Sequence, residues 1–267
     1  MDDIIPSPWS HWRSLTSARI ALGRAGNATP TDEALRFGWS HAMARDTIHA
    51  PLDIPTLAHG LHADGWASTH AHSRAADRTV YLRRPDLGRQ LDEVDAQRLR
   101  ALRGDGLPDG PETAVDLCLV IGDGLSSLAV ARHAVPLLHA LRPLLPVGTK
   151  IAPVVLMTQA RVAVADEVGE IFGAALSVIL IGERPGLSSP DSLGIYLTHA
   201  PKRGRHDAER NCISNVRPEG LSYGAAAFKL AWLMQRAMRL GLTGVGLKDE
   251  SDVSDKATLG QPQHVSI

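Results

Sequence analysis

Beyond residue 114 the sequence alternates short apolar runs with longer helix-patterned stretches, and this alternation constrains the fold most. Residues 115–121 read as a buried strand and Gly122-Asp123-Gly124 as a turn. Residues 125–141 form an Ala/Leu-rich helix with Ser126 or Ser127 near its start. Residues 151–157 are a second strand, and 162–176 a helix with Asp166, Glu167 and Glu170 on its polar side. The run Val178-Ile179-Leu180-Ile181 is a third strand, and residues 193–197 resume as a fourth. A polar segment leads to Cys212, and residues 222–240 make an amphipathic helix. Such alternation predicts an α/β fold: a Rossmann-like, open, mostly parallel sheet with helices on both faces.

The first hundred residues lack this pattern. Thr31 precedes a helix over 32–49, with Ala34, Leu35, Trp39, Ala42 and Met43 at helical spacing, and Pro51 stops it. Residues 91–102 are helical. Gly104-Asp105-Gly106-Leu107-Pro108-Asp109-Gly110-Pro111 is the clearest linker in the chain. The expected organisation is therefore a smaller, mainly helical N-terminal domain over 1–103, a linker over 104–111 and the Rossmann-like domain over 112–250. Residues 251–267 show no periodicity and read as a disordered tail. Pro6 and Pro8 discourage a helix at the start, and Trp9, Trp12 and Leu15 offer a small apolar anchor.

Composition excludes several classes. The chain has 267 residues and a formal net charge of −1, without the basic excess of a nucleic-acid binder. No stretch approaches the ~18 consecutive apolar residues of a membrane span. Asp2 and Asp3 stand where a secretory signal would be positive. Two cysteines, Cys118 and Cys212, make no disulfide framework and have no zinc spacing. His59, His62, His70 and His72 crowd one region, yet their spacing matches no standard metal site, so they read as surface histidines. Aromatic residues are only 4%, so the core must be aliphatic.

Residues 176–198 hold the strongest local signal: a buried strand that opens at Gly182 into Glu183-Arg184-Pro185-Gly186 and then a run of serines. In an open α/β sheet, a loop beyond a strand end presents groups to a ligand. Asp123 stands at another strand end, where it reads either as a ligand-facing acid or as a turn or N-cap acid. The common catalytic motifs are missing. Gly122-Asp123-Gly124-Leu125-Ser126-Ser127 holds half of a dinucleotide fingerprint, and no Gly-x-Ser-x-Gly elbow is present. Local chemistry alone reaches a ligand-binding α/β domain.

Three blocks taken together go further. They are Arg161-Val162-Ala163-Val164-Ala165-Asp166-Glu167-Val168-Gly169-Glu170, the segment from Ile181 to Gly194, and Ala208-Glu209-Arg210-Asn211-Cys212-Ile213-Ser214-Asn215. With Arg83-Arg84-Pro85-Asp86-Leu87-Gly88 and Asp123-Gly124-Leu125-Ser126, they make the chain resemble the small subunit of ethanolamine ammonia-lyase. The resemblance implies a subunit of an adenosylcobalamin enzyme that converts ethanolamine to acetaldehyde and ammonia by radical chemistry. It implies a TIM-barrel large subunit carrying the catalytic residues, none on this chain, and a higher-order hetero-oligomer. It implies cobalamin between the subunits with the cofactor's own base on cobalt; the Asp-x-His-x-x-Gly loop that would replace that base is not in the sequence.

The positions matching the family's cobalamin contacts are Val162, Glu183 and Cys212, with no protein metal ligand. Taken without the resemblance, Val162 reads as core, Glu183 as a surface or capping acid and Cys212 as an inert buried thiol. The implied location is the cytoplasm, in some relatives a bacterial microcompartment reached through an N-terminal helix, against which Pro6 and Pro8 stand. The alternatives from other classes are a stand-alone nucleotide-binding oxidoreductase and a non-enzymatic binding module.

Overall fold

The computed structural model describes residues 4–104 and 115–251. Most of the expected linker and all but the first residue of the expected tail lie outside these described residues. A six-stranded mixed sheet forms the centre. Its strands are β1 (Ser68–His72), β2 (Leu117–Gly122), β3 (Val154–Thr158), β4 (Leu176–Gly182), β5 (Leu193–His199) and β6 (Arg210–Val216), in spatial order β1-β3-β2-β4-β5-β6. The pairings β1–β3, β3–β2 and β2–β4 are parallel. The pairings β4–β5 and β5–β6 are antiparallel.

Burial follows the period-two alternation of a strand covered on both sides. Leu117, Leu119 and Ile121 of β2 join Leu156, Val178 and Leu180 in one cluster. That cluster is closed by α2 (Ile54–Ala63), α5 (Ser127–Leu141) and α7 (Tyr223–Leu240). Cys118 and Val120 point the other way, with Val155, Met157, Ile179 and Ile181. There they meet α4 (Glu93–Arg103) and α6 (Val164–Phe172). The remaining α-helices are α1 (Thr31–His49) and the six-residue α3 (Arg78–Arg83). Among the described residues no helix is long and apolar enough to cross a membrane.

Local chemistry sets the helix ends. Ser126 caps α5 by accepting from the N–H of Ala129 at 3.1 Å, and Ser222 caps α7 by accepting from Ala225 at 3.4 Å. Gly173, at φ 61°, ends α6 four residues earlier than its apolar pattern suggests.

One expectation needs correction. The sheet is not confined to the chain beyond the linker: β1 comes from the histidine-rich region and pairs with β3, while α4 shares a layer with α6. The short, polar β1 has no apolar alternation to announce it, because only Ala71 of its five residues is fully buried. The sheet is mostly parallel, as the alternation implies, with two antiparallel strands added at one edge. Residues 183–192 and 200–209 are too short for the parallel crossover of a dozen or more residues, so β5 and β6 return antiparallel. The polar segment leads into β6, which begins at Arg210 and carries Cys212.

The strand ends are braced from within. Asp123 accepts the main-chain N–H groups of Gln159 and Ala160, both at 2.9 Å, which ties the end of β2 to the end of β3. Arg78 Nη1 stands 3.6 Å from the same carboxylate. Burial pushes the Asp123 carboxyl above the ordinary range, and the two N–H groups and Arg78 oppose it. Removing the acceptors would strand the two N–H donors and take away the counter-charge of Arg78. Asp123→Ala is expected to lower stability by about 2–4 kcal/mol, and Asp123→Asn, which keeps one acceptor oxygen, by less. Urea unfolding followed by circular dichroism checks the order, which fails if the two substitutions are equally mild.

Candidate functional site

The strand order creates a crevice. β2 lies between β3 and β4; its crossover to β3 runs through α5 on one face, and the next crossover, to β4, runs through α6 on the other. In open α/β sheets a ligand crevice opens where successive crossovers part to opposite faces. Here the loops leaving β2 and β4 meet at that point. The N–H of Leu125 donates to the carbonyl of Gly182 at 2.9 Å. A Cβ on Gly124 would sit 2.2 Å from that carbonyl oxygen, and Gly124 has φ +56°. A Cβ on Gly182 would sit 2.1 Å from the Ser126 carbonyl oxygen. Gly182 therefore admits the chain's own backbone, where the sequence suggested close approach to a ligand.

A cleft of about 390 Å³ opens beside this contact, lined among others by Tyr81, Arg161, Val162, Glu183, Arg184 and Tyr196. A larger cavity, about 590 Å³, lies at the opposite ends of β2 and β4 between Leu144, Met234 and Met238. Its walls are mainly apolar, and it contains none of the candidate residues. The smaller cleft has the convergent polar groups that a binding site needs.

Val162 lies in the turn before α6, half-buried, at once a wall of the cleft and packed on the core behind it. Cys212 does not line the cleft directly. It pairs across the strands with Tyr196, which does, and it is exposed, where the sequence alone suggested a buried thiol. Its local surroundings still desolvate the sulfur enough to raise the thiol pKa, and Glu183 adds to this while a hydrogen bond with Tyr196 opposes it. The neutral thiol is thus the resting form at pH 7.

Glu183 is more firmly held than a loop acid. Its carboxylate accepts from the hydroxyls of Ser192 and Ser214 and from the N–H of Asn215, the last at 3.3 Å. It lies over Gly194, where a Cβ would stand 3.0 Å from Oε1. The same point is a bulge in the β5–β6 pairing: Leu193 faces Val216, yet Ile195 faces Ile213, and Asn215 takes φ 59°. A carboxylate has about four acceptor sites, so one remains for a ligand.

Asp123, read as either a ligand-facing or a capping acid, is neither. It is the internal brace described above, and Ser126 is the cap. The histidine-rich region divides between α2 (His59, His62) and β1 (His70, His72). Among the described residues no three His, Cys, Asp or Glu side chains converge as a metal site.

Sequence reasoning missed Tyr81, Arg161 and Tyr196 as cleft residues. For Arg161 a signal existed: it stands between a strand and a helix with no acid three or four residues away on either side. Nothing local distinguishes the two tyrosines.

The 183–192 loop is latched at several points. Ser126 Oγ donates to the Pro190 carbonyl at 2.9 Å, and Arg132 donates to Asp191 at 2.8 Å. His133 Nε2 lies 3.4 Å from Asp191, and its Nδ1 meets the Tyr223 hydroxyl at 2.8 Å. Burial lowers the His133 pKa, against the pull of Asp191. A histidine depressed in the folded state takes up its proton first in the unfolded chain. Stability is therefore expected to fall as pH drops below about 6.5, the ordinary histidine value. His133→Gln should flatten that slope in urea midpoints measured between pH 7.5 and 5.5. An unchanged slope would assign it to other histidines, such as His70 and His199, which burial also depresses.

Residues 6–248 match the family model of the ethanolamine ammonia-lyase light chain (EutC). A protein named ethanolamine ammonia-lyase small subunit from Pseudomonas aeruginosa is 56% identical over 248 residues, covering 92% of this chain and 89% of its own. Proteins of the same name from Azotobacter vinelandii and Ralstonia nicotianae are each 55% identical, over 252 and 251 residues, covering 93% and 94% of this chain and 90% and 91% of their own. At such identity over nearly the full length, three distant blocks that fold onto one sheet edge share a common origin with those of the relatives, and the chain belongs to the ethanolamine ammonia-lyase light-chain family.

Proposed function

We propose that this chain is the small subunit of an adenosylcobalamin-dependent ethanolamine ammonia-lyase, acting on ethanolamine to give acetaldehyde and ammonia together with a TIM-barrel large subunit. The observation that carries the reading is convergence. Val162, Glu183 and Cys212 come from three separate segments, yet two line one cleft and the third backs its tyrosine wall. The residues fit the group. A corrin rim presents neutral amides; Glu183 keeps an acceptor site, Tyr196 brings a hydroxyl, and the buried Arg161 Nε has no partner in the chain. When bound, adenosylcobalamin supplies homolysis of its cobalt–carbon bond and with it the radical chemistry. The chain's own part is to hold one edge of that cofactor, keep water from it and present a neutral thiol that does not compete for cobalt.

The fold reads as Rossmann-like around β3-β2-β4, extended by β1 on one edge and by two antiparallel strands on the other. The N-terminal portion is the partner-facing part of this reading. Trp9, Trp12, Leu15, Leu35 and Trp39 are all exposed, Leu35 and Trp39 on α1, and exposed large apolar side chains in one region mark an interaction surface. The complete enzyme is a cytoplasmic hetero-oligomer in this account. The nucleotide-binding oxidoreductase has only half a glycine fingerprint behind it, and the space at its glycines is taken by the chain itself, at Gly122 by the Ala160 side chain and at Gly124 by the Gly182 backbone.

Three results test the reading. The isolated chain should release no acetaldehyde from ethanolamine and adenosylcobalamin, and addition of the large subunit should restore release; turnover by the chain alone would refute the division of labour. Replacing Leu35 and Trp39 together by serine should weaken co-assembly at least about 10-fold by analytical ultracentrifugation, the scale expected for losing a buried aromatic anchor. Glu183→Ala should remain folded, at a stability loss of about 1–3 kcal/mol from the donors it strands. It should weaken cobalamin binding to the complex more than Glu183→Gln does.

A further inference from the structure

Arg161 leads from the end of β3 into α6 and is placed from several sides. Its main-chain N–H donates to the Gly88 carbonyl at 2.8 Å. Its side-chain stem underlies Gly88, where a Cβ would come within 2.9 Å of Arg161 Cγ. Its guanidinium lies 4.3 Å from the centroid of the Tyr81 ring. Tyr81 is itself fixed, buried and donating its hydroxyl to the Ala160 carbonyl at 3.0 Å. The guanidinium is therefore preorganised at the cleft wall.

A second arginine on the same ring shows what is unusual. Arg78, 4.6 Å from the ring centroid, is anchored within the chain through its Nε and Nη1, although its Nη2 is buried without a partner. It donates to the carbonyls of Ile48 at 2.6 Å and Gly124 at 2.8 Å and faces Asp123. Arg161 has no ion pair among the described residues, and its Nε is buried without any hydrogen-bond partner. Arg184, exposed on the same cleft, has no ion pair among them either. The acid between them on the wall, Glu183, turns its carboxylate to Ser192, Ser214 and Asn215. The cleft thus carries two guanidinium groups with no ion-pair partner among the described residues, and a buried donor without a partner at its wall calls for an acceptor from outside the chain.

We infer that Arg161, with Arg184 beside it, binds the phosphodiester of the cofactor's nucleotide loop. The inference rests on the cobalamin reading above. The amides around a corrin are neutral, and the phosphodiester that joins its lower base is the anion among the cofactor's side groups. A guanidinium fork matches phosphate oxygens in two parallel bonds, and its planar face can stay stacked on an aromatic ring while it does so.

The test compares two corrinoids on the complex assembled with the large subunit, by equilibrium dialysis: cyanocobalamin, which has the nucleotide loop, and dicyanocobinamide, which lacks it. Arg161→Gln should weaken cyanocobalamin about 10- to 100-fold, the range of a lost charge-assisted hydrogen bond. It should weaken dicyanocobinamide by less than about 3-fold. Arg161→Lys, which keeps the charge without the fork, should fall between parent and Gln for cyanocobalamin. Circular dichroism and co-elution of the subunits control for folding and assembly. Equal loss for both corrinoids, or no loss for either, overturns the assignment while leaving the cobalamin reading intact. Failure of Arg161→Gln to assemble with the large subunit also overturns it, since the guanidinium would then be meeting a carboxylate of the partner. If the parent complex binds neither corrinoid, the cobalamin reading falls and the inference with it.

Discussion

The loops that leave β2 and β4 press backbone against backbone, and the site depends on that contact. Gly124 and Gly182 have no room for a side chain, and the Leu125 N–H closes on the Gly182 carbonyl. This brings the start of α5 and the 183–192 loop to one point, with Asp123 locking the neighbouring β3 end beside them. Everything that lines the cleft is placed relative to this junction. A methyl group at either glycine would push the two strand ends apart, which a sheet buried on both faces cannot absorb without losing core contacts.

Glu183 shows how the same atoms can build and bind. Its carboxylate satisfies two hydroxyls and an N–H at the β5–β6 bulge, and that clasp holds together the two strands that carry Tyr196 and Cys212 beside the cleft. The clasp leaves a lone-pair position free. A group tied down in this way meets a ligand without further loss of side-chain freedom, which favours affinity. Arg161 follows the same logic through Tyr81: the ring orients the guanidinium, and its unpartnered nitrogen is left for another molecule.

The two ends of the chain differ in how their apolar groups are used. From α2 onward the apolar residues close two clusters, one on each face of the sheet. Before it, tryptophans and leucines remain in solvent on α1 and the segment preceding it. Arg19 joins the two regimes, donating to the Leu187 carbonyl at 3.0 Å and to the Ser40 hydroxyl on α1. The exposed N-terminal surface is therefore mechanically connected to the loop that borders the cleft.

The sequence by itself determined the layered α/β core, the serine-marked start of α5, and the three blocks whose resemblance marks the family. These are local or near-local properties: period-two and period-3.6 burial, capping chemistry and contiguous motifs. Only the tertiary structure decided that β1 joins the sheet, because a short polar edge strand is specified by its partner β3 and not by its own pattern. Only it decided that β5 and β6 run antiparallel, since direction depends on how far a connection can reach. It also turned Asp123 from a candidate ligand group into a brace and drew Arg161 and Tyr81 to the cleft. Residues 81 and 161 are far apart in sequence, and a stack between them exists only once the β3 end and α3 are packed together.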